Sequence, residues 1–330
     1  MENKYIKQFP DLLRGKKLMY VHGFASSAQS GTVKRLREAF PNAVVIAEDI
    51  PLHPQEGLAM LQEMARREQP DLIVGTSMGG MYTEMLRGFD RIVVNPAFAM
   101  GETMTAHGLT GAQSFQNPRQ DGVQDFIVTK ALVKEYRLMT ELCFREVTAE
   151  EQQRVFGLFG DEDDLVNTYD LFHAHYPNAI RFHGGHRMDD GSFMHSVLPV
   201  IRWIDDRQEN RARPVVYIGL ECMKDTFGKL LSSVQKAFRQ LIEHYQVYIV
   251  APSLATSPSL MSETVAWAEQ FVNVPAWNHI VFTNRRDLLI GDFLIAETST
   301  EGFFGTNIRF GSDEFKTWED VITFFQRVNG

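Results

Sequence analysis

Cysteine is nearly absent: the 330 residues hold only Cys143 and Cys222. Two thiols exclude a disulfide framework and a thiolate metal cluster. Basic charge is also in short supply. Lys and Arg number 33 against 42 Asp and Glu, a net charge of −9. That balance argues against a nucleic-acid binder, which normally carries a basic face. No stretch approaches ~18 consecutive apolar residues, so no membrane span is expected. Residues 1–10 hold no apolar run of the signal-peptide kind, and a cytoplasmic protein is the expectation. What is present is an ordinary globular composition, 44% hydrophobic and 23% charged. The length is about twice that of a usual domain, so two domains are expected.

Strand and helix patterns alternate along the first two-thirds. Short apolar runs at 17–21, 43–46, 71–75 and 91–94 read as strands, with helices at 32–40 and 58–67. Strand-helix units of this length imply a parallel sheet covered on both faces. From 99 to 151 the rhythm changes to a segment expected to be helical, rich in Met and Phe and broken by Gly101, Gly108, Gly111 and Pro118. It reads as a cap over one end of the sheet. Phe98, Met100, Met104, Phe115, Phe126 and Met139 would either line an acyl pocket or form the cap's own core. Alternation resumes at 154–159, 169–175, 179–182 and 193–205. A polar run then ends in Pro214, and residues 207–213 read as a linker between domains of 1–206 and 214–330. The second domain repeats the α/β pattern, with strands at 215–218, 247–250 and 279–282 and helices at 228–245 and 263–271.

Leu72 to Gly80 carries the most chemistry. A β-branched strand runs into Gly75-Thr76-Ser77-Met78-Gly79 and on into a helical pattern. The glycines leave room for a strained turn that lifts the Ser77 hydroxyl above the strand ends. The turn also puts Ser77 at a helix N-terminus, where N–H groups stabilise developing negative charge. Serine needs a base and an orienting acid, which follow it in the order acid, then histidine. Asp163, three residues past Gly160, is the favoured acid. Asp164 is the alternative, with Asp161 behind it, the other acids serving a solvated turn or a helix cap. His186, after Gly184-Gly185, is the expected base. His183 lies close to its strand, and His195 reads as a packing or lid contact. A zinc site at His173, His175, His183 and His186 is disfavoured, because the i, i+2 spacing puts His173 and His175 on different helix faces. The oxyanion donors are expected to be the N–H groups of Met78 and of Phe24 in the turn His22-Gly23-Phe24, each typically worth about 3 kcal/mol. No cofactor or metal is needed for such chemistry.

The runs Tyr20 to Ser27, Gly75 to Gly80, Asn95-Pro96-Ala97, Gly160-Asp161-Glu162 and Gly184-Gly185-His186 resemble the YqiA-like esterases, a branch of the α/β-hydrolases, over about 15–206. That family often has one residue between the Gly pair and the His, whereas here His186 follows Gly185 directly. The resemblance implies an α/β-hydrolase sheet with a cap and a small-molecule ester or thioester substrate. It also implies a triad of Ser77, an Asp near 163 and His186. A thioesterase or acyltransferase using the same triad is the rival within enzymes.

Residues 280–295 and 308–312 are similar to the 5'-deoxyribonucleotidase branch of the haloacid-dehalogenase-like phosphatases, which implies a Rossmann-like second domain. That chemistry needs an Asp nucleophile with an acid two residues on, and these positions read Gly219 and Glu221. The later acidic pair reads Ala296-Glu297, while Ser253 and Arg286 sit where a phosphate-contacting hydroxyl and cation belong. The resemblance therefore implies a catalytically inactive domain that serves packing, homo-oligomerisation or phosphate and nucleotide binding.

Overall fold

The computed structural model describes residues 11–253, 257–271 and 279–329. The chain forms two compact units, residues 1–205 and 206–330.

The first unit is built on a parallel sheet of six strands: β1 (Lys17–Val21), β2 (Val44–Ile46), β3 (Leu72–Thr76), β4 (Arg91–Val94), β7 (Val155–Gly160) and β8 (Ala179–Phe182). Their order is β2-β1-β3-β4-β7-β8. β1, β3, β4 and β7 are buried almost throughout, which is why they read as near-continuous apolar runs. The order reverses at β1, so a crevice opens beyond the carboxyl ends of β1 and β3. Helices 31–39, 54–68, 78–85 and 169–173 flank the sheet, and Ser30 caps the first of them by accepting from Val33 N–H.

The cap is not purely helical. Between helices Met100–Ala106 and Lys130–Thr140 lies an antiparallel hairpin of β5 (Gly111–Ser114) and β6 (Asp125–Val128). Gly111 and Gly122 adopt positive φ, +107° and +74°, and so turn the chain instead of merely interrupting a helix. Burial along β6 alternates with period two, a strand signal too short to stand out beside the surrounding Met and Phe. Gly101, read from sequence as a breaker, lies inside a helix that packs closely on Val133 and Arg137. Phe98, Met100, Met104, Phe126 and Met139 are buried in the unit's core together with sheet residues such as Ile73 and Val93, with Phe115 packed against it.

A buried ionic network pins the cap to the sheet. Arg91 donates to Glu151 and to the Glu84 carbonyl, while the Glu84 carboxylate accepts from Tyr176 Oη (2.6 Å) and Phe144 N–H (3.1 Å). Every member has partners, which is the condition for tolerating charge inside a core.

The closing helical stretch comprises Asp190–Ser192, a π-helical turn Phe193–Val197 and Leu198–Gln208. It extends into the stretch expected as linker, and Asp206 takes both Arg211 and Arg213. That pairing draws the polar run back onto the helix end.

The second unit holds β9 (Val215–Gly219), β10 (Gln246–Ala251), β11 (Ile280–Phe282), β12 (Ile290–Ala296) and β13 (Phe304–Arg309). All are parallel, in the order β11-β10-β9-β12-β13. This is the doubly wound order, with its switch point between β9 and β12. The helix expected over 228–245 begins only at Val234. Gly228 at φ +78° and the Asp225 carboxylate, accepting from Phe227 and Lys229 N–H, shape a turn before it.

Candidate active site

Ser77 stands beyond the end of β3 with φ +55° and ψ −123°. That conformation costs a non-glycine residue about 1–3 kcal/mol, and the surroundings explain how it is held. A Cβ on Gly75 would overlap Thr83 and the Gly79 carbonyl, and one on Gly79 would overlap the Val21 carbonyl. Only glycine permits helix 78–85 to pack this tightly on β1 and β3. Ser77 N–H donates to Val94 O (3.0 Å), and its carbonyl accepts from Ala97 N–H (3.0 Å). Gly23 would place a Cβ 3.3 Å from Ser77 Cβ, so the β1 turn lies against the nucleophile candidate.

The structure brings His186 and Asp163 to the same point. Ser77 Oγ lies 3.0 Å from His186 Nε2, and His186 Nδ1 lies 2.8 Å from Asp163 Oδ2. The other oxygen, Oδ1, accepts from Leu165 N–H (2.9 Å) and Val166 N–H (3.0 Å). The Asp163 side chain is 2% exposed. Burial by itself would raise its pKa. The bond from His186 and those two N–H groups outweigh burial and hold the carboxyl below its ordinary value.

The alternatives fall elsewhere. Asp164 is exposed. Asp161 accepts from Gly184 N–H (3.1 Å) and faces His183, so these two brace the loop that carries His186. His173 stacks on Tyr169 and His175 on Phe144. No cluster of three or more metal-binding side chains forms among the described residues. His195 lies in the π-helical turn, and its side chain is outside the described residues.

Met78 follows Ser77 directly, and Phe24 follows Gly23, the residue that lies against Ser77. Met78 opens its helix, so its N–H has no intrahelical acceptor. Phe24 packs edge-on against Phe126 and Tyr136, and Tyr136 Oη reaches the Met78 sulfur at 3.2 Å. His22 anchors the turn from below: Nδ1–H donates to Gly23 O (2.8 Å) and Nε2 accepts from Ile50 N–H (3.1 Å). Burial pushes its pKa down from 6.5 to about 4, so the ring is neutral at pH 7.

Sequence reasoning missed what holds this turn from above. The loop between β5 and β6 clasps it: Gln116 N–H donates to Ala25 O (2.8 Å) and Ser27 Oγ to Pro118 O (2.7 Å). Asp49 bridges Ala28 N–H (2.8 Å) and Gln120 N–H (2.6 Å). No periodicity marks such contacts, which join residues up to 91 positions apart.

In the second unit the carboxylate of Glu221 folds over Gly219, and a Cβ there would collide with it. Glu221 forms a two-pronged pair with Arg286, at 2.6 and 2.8 Å. Ser253 and Asn284 bond each other through Ser253 N–H and O. Arg286, Asn284 and Thr300 line a surface cavity of about 520 Å³.

A family described as Uncharacterised protein family (UPF0227) matches residues 17–189, within the stretch that resembles the YqiA-like esterases. The chain is also similar to a putative 5'(3')-deoxyribonucleotidase of Vibrio phage KVP40, 28% identical over 96 residues, covering 28% of this chain and 56% of that protein. A protein of the same description from Staphylococcus aureus strain Mu50 is 30% identical over 108 residues, covering 29% of this chain and 59% of its own length. The chain thus spans little more than half of these curated relatives. Among solved structures, Est1E from Butyrivibrio proteoclasticus aligns at 14% identity and a TM-score of 0.38, covering 60% of this chain and 88% of that one.

Proposed function

The chain belongs to the uncharacterised protein family UPF0227, and from that premise we propose that its first unit is a serine hydrolase of carboxylic esters. One observation carries the reading: the unbroken relay from Ser77 Oγ through His186 to the buried Asp163 carboxylate, mounted on a strained strand-to-helix turn. With Nδ1–H directed at Asp163, Nε2 is left to accept the hydroxyl proton as Ser77 Oγ attacks the acyl carbon. The resulting oxyanion meets the N–H groups of Phe24 and Met78. Collapse breaks the bond to the alkoxide, which leaves with the proton held on His186 Nε2. Water, deprotonated by the same nitrogen, then cleaves the acyl-enzyme and restores Ser77. No step calls on a cofactor.

Turnover of a p-nitrophenyl ester series, run beside acyl-CoA substrates, tests the reading and separates ester from thioester preference. Ser77→Ala is expected to abolish turnover with the fold intact, since Gly75 and Gly79 remain. Near wild-type turnover in that variant would refute the assignment.

The second unit, on this proposal, performs no phosphoryl transfer. Carboxylate attack on phosphorus has no nucleophile at Gly219, and Arg286 is already neutralised by Glu221.

A further inference from the structure

Asn95, at the end of β4, is 2% exposed and holds φ +45°, a left-handed conformation that asparagine tolerates better than most residues. Its side chain spends its whole donor capacity on the site. Oδ1 accepts from Gly160 N–H (2.7 Å), at the root of the loop that carries Asp163. Nδ2 donates to Gly185 O (2.9 Å) and His186 O (3.1 Å), on the loop that carries the base. The partners settle the amide orientation, since two carbonyls need donors and one N–H needs an acceptor. The backbone around it grips the remaining member: Val94 O and Ala97 N–H bond the backbone of Ser77, and Asn95 N–H bonds Leu158 O on β7.

We propose that Asn95 is a positioning residue that clamps the acid loop to the base loop and so sets the Ser77–His186–Asp163 geometry. The inference rests on the hydrolase reading above. The side-chain hydrogen bonds of Asn95 go to the backbones that carry His186 and Asp163, and it acts through them. Glu162 N–H to Gly184 O (3.0 Å) and Gly184 N–H to Asp161 (3.1 Å) hold the base loop at Gly184. The three hydrogen bonds of the buried Asn95 amide tie Gly185 and His186 themselves to Gly160. Aspartate would keep the shape but offer acceptors to two carbonyls.

Asn95→Gly separates side chain from backbone, because glycine accepts the positive φ while deleting the clamp. Misplacement of a base by about 1 Å costs on the order of 10²-fold, so kcat for a p-nitrophenyl ester is expected to fall ~10²-fold with little change in KM, as when an interaction made in the transition state is lost. The downfield proton resonance of His186 Nδ1–H, shared with Asp163, is expected to broaden or move in the same variant. Asn95→Asp should behave alike. Turnover within threefold of wild type in a folded Asn95→Gly, with Ser77→Ala inactive, would overturn the clamp and leave the hydrolase reading standing. Wild-type turnover in Ser77→Ala would instead overturn that reading. Should neither Asn95 variant fold, the wild-type protein still decides: both Nδ2 protons must exchange slowly with solvent, and exchange at the rate of an exposed amide refutes the clamp.

Discussion

Acidification should destabilise the first unit through a single ring. His22 is 2% exposed and both nitrogens are engaged, one as donor to Gly23 O and one as acceptor from Ile50 N–H. Protonation strips Nε2 of its acceptor role and buries a charge. The pKa therefore falls from 6.5 to about 4 in the folded state. Between these values the unfolded chain binds more protons than the folded one, so stability is complete above pH 6.5 and is lost as pH falls toward 4. At 1.36 kcal/mol per pH unit, the full loss is about 3 kcal/mol, and about 2 kcal/mol is already gone at pH 5. That is a large part of the about 5–15 kcal/mol that holds an ordinary domain together. Urea unfolding should be followed through amide resonances of β1 and β3 in the full chain, because three of the four tryptophans lie in the second unit. His22→Gln is expected to be less stable at pH 7 and to show a flatter dependence between pH 6.5 and 4. A His22 imidazole that titrates near 6.5, or a wild-type and variant with the same slope, would refute the reasoning.

Asp163→Asn should lower ester turnover by ~10⁴-fold, the loss known when a triad acid is replaced by its amide, whereas exposed Asp164→Asn should leave kcat within twofold. The reverse order in purified variants would move the acid. The second unit is expected to release no phosphate from deoxynucleoside monophosphates, with or without magnesium. Magnesium-dependent release that persists in Ser77→Ala would show that unit to be an active phosphatase.

Local sequence was enough wherever one residue type answers one local demand. Gly75 is required by contacts within the same strand, turn and helix, so the turn bearing Ser77 was legible from its local pattern, although the demand for Gly79 comes from the Val21 carbonyl on β1. The buried parallel strands were legible for a similar reason, since burial on both faces leaves no polar alternation. The β5–β6 hairpin was not, because four-residue strands carry little periodicity and their glycines also signal a helix break. In the second unit, the departures at Gly219 and Glu221 were visible from the chain alone. The pairing of Glu221 with Arg286 needed β9 and the turn after β11 to be brought together.

The choice among acids belonged to the tertiary structure. Asp161, Asp163 and Asp164 are chemically alike and nearly adjacent, and only their directions differ: one to the Gly184 loop, one to His186, one to water. Direction at a loop is set by whichever groups lie opposite, and here those come from the loop after β8 and from the N–H groups of Leu165 and Val166. The same holds for Asn95 and for the hold of Asp49 on the Phe24 turn. Sequence supplied the residue types that hydrolytic chemistry requires. Their distances follow from hydrogen bonds spanning 23 to 109 residues, which no local pattern encodes because neither partner's neighbours depend on the other.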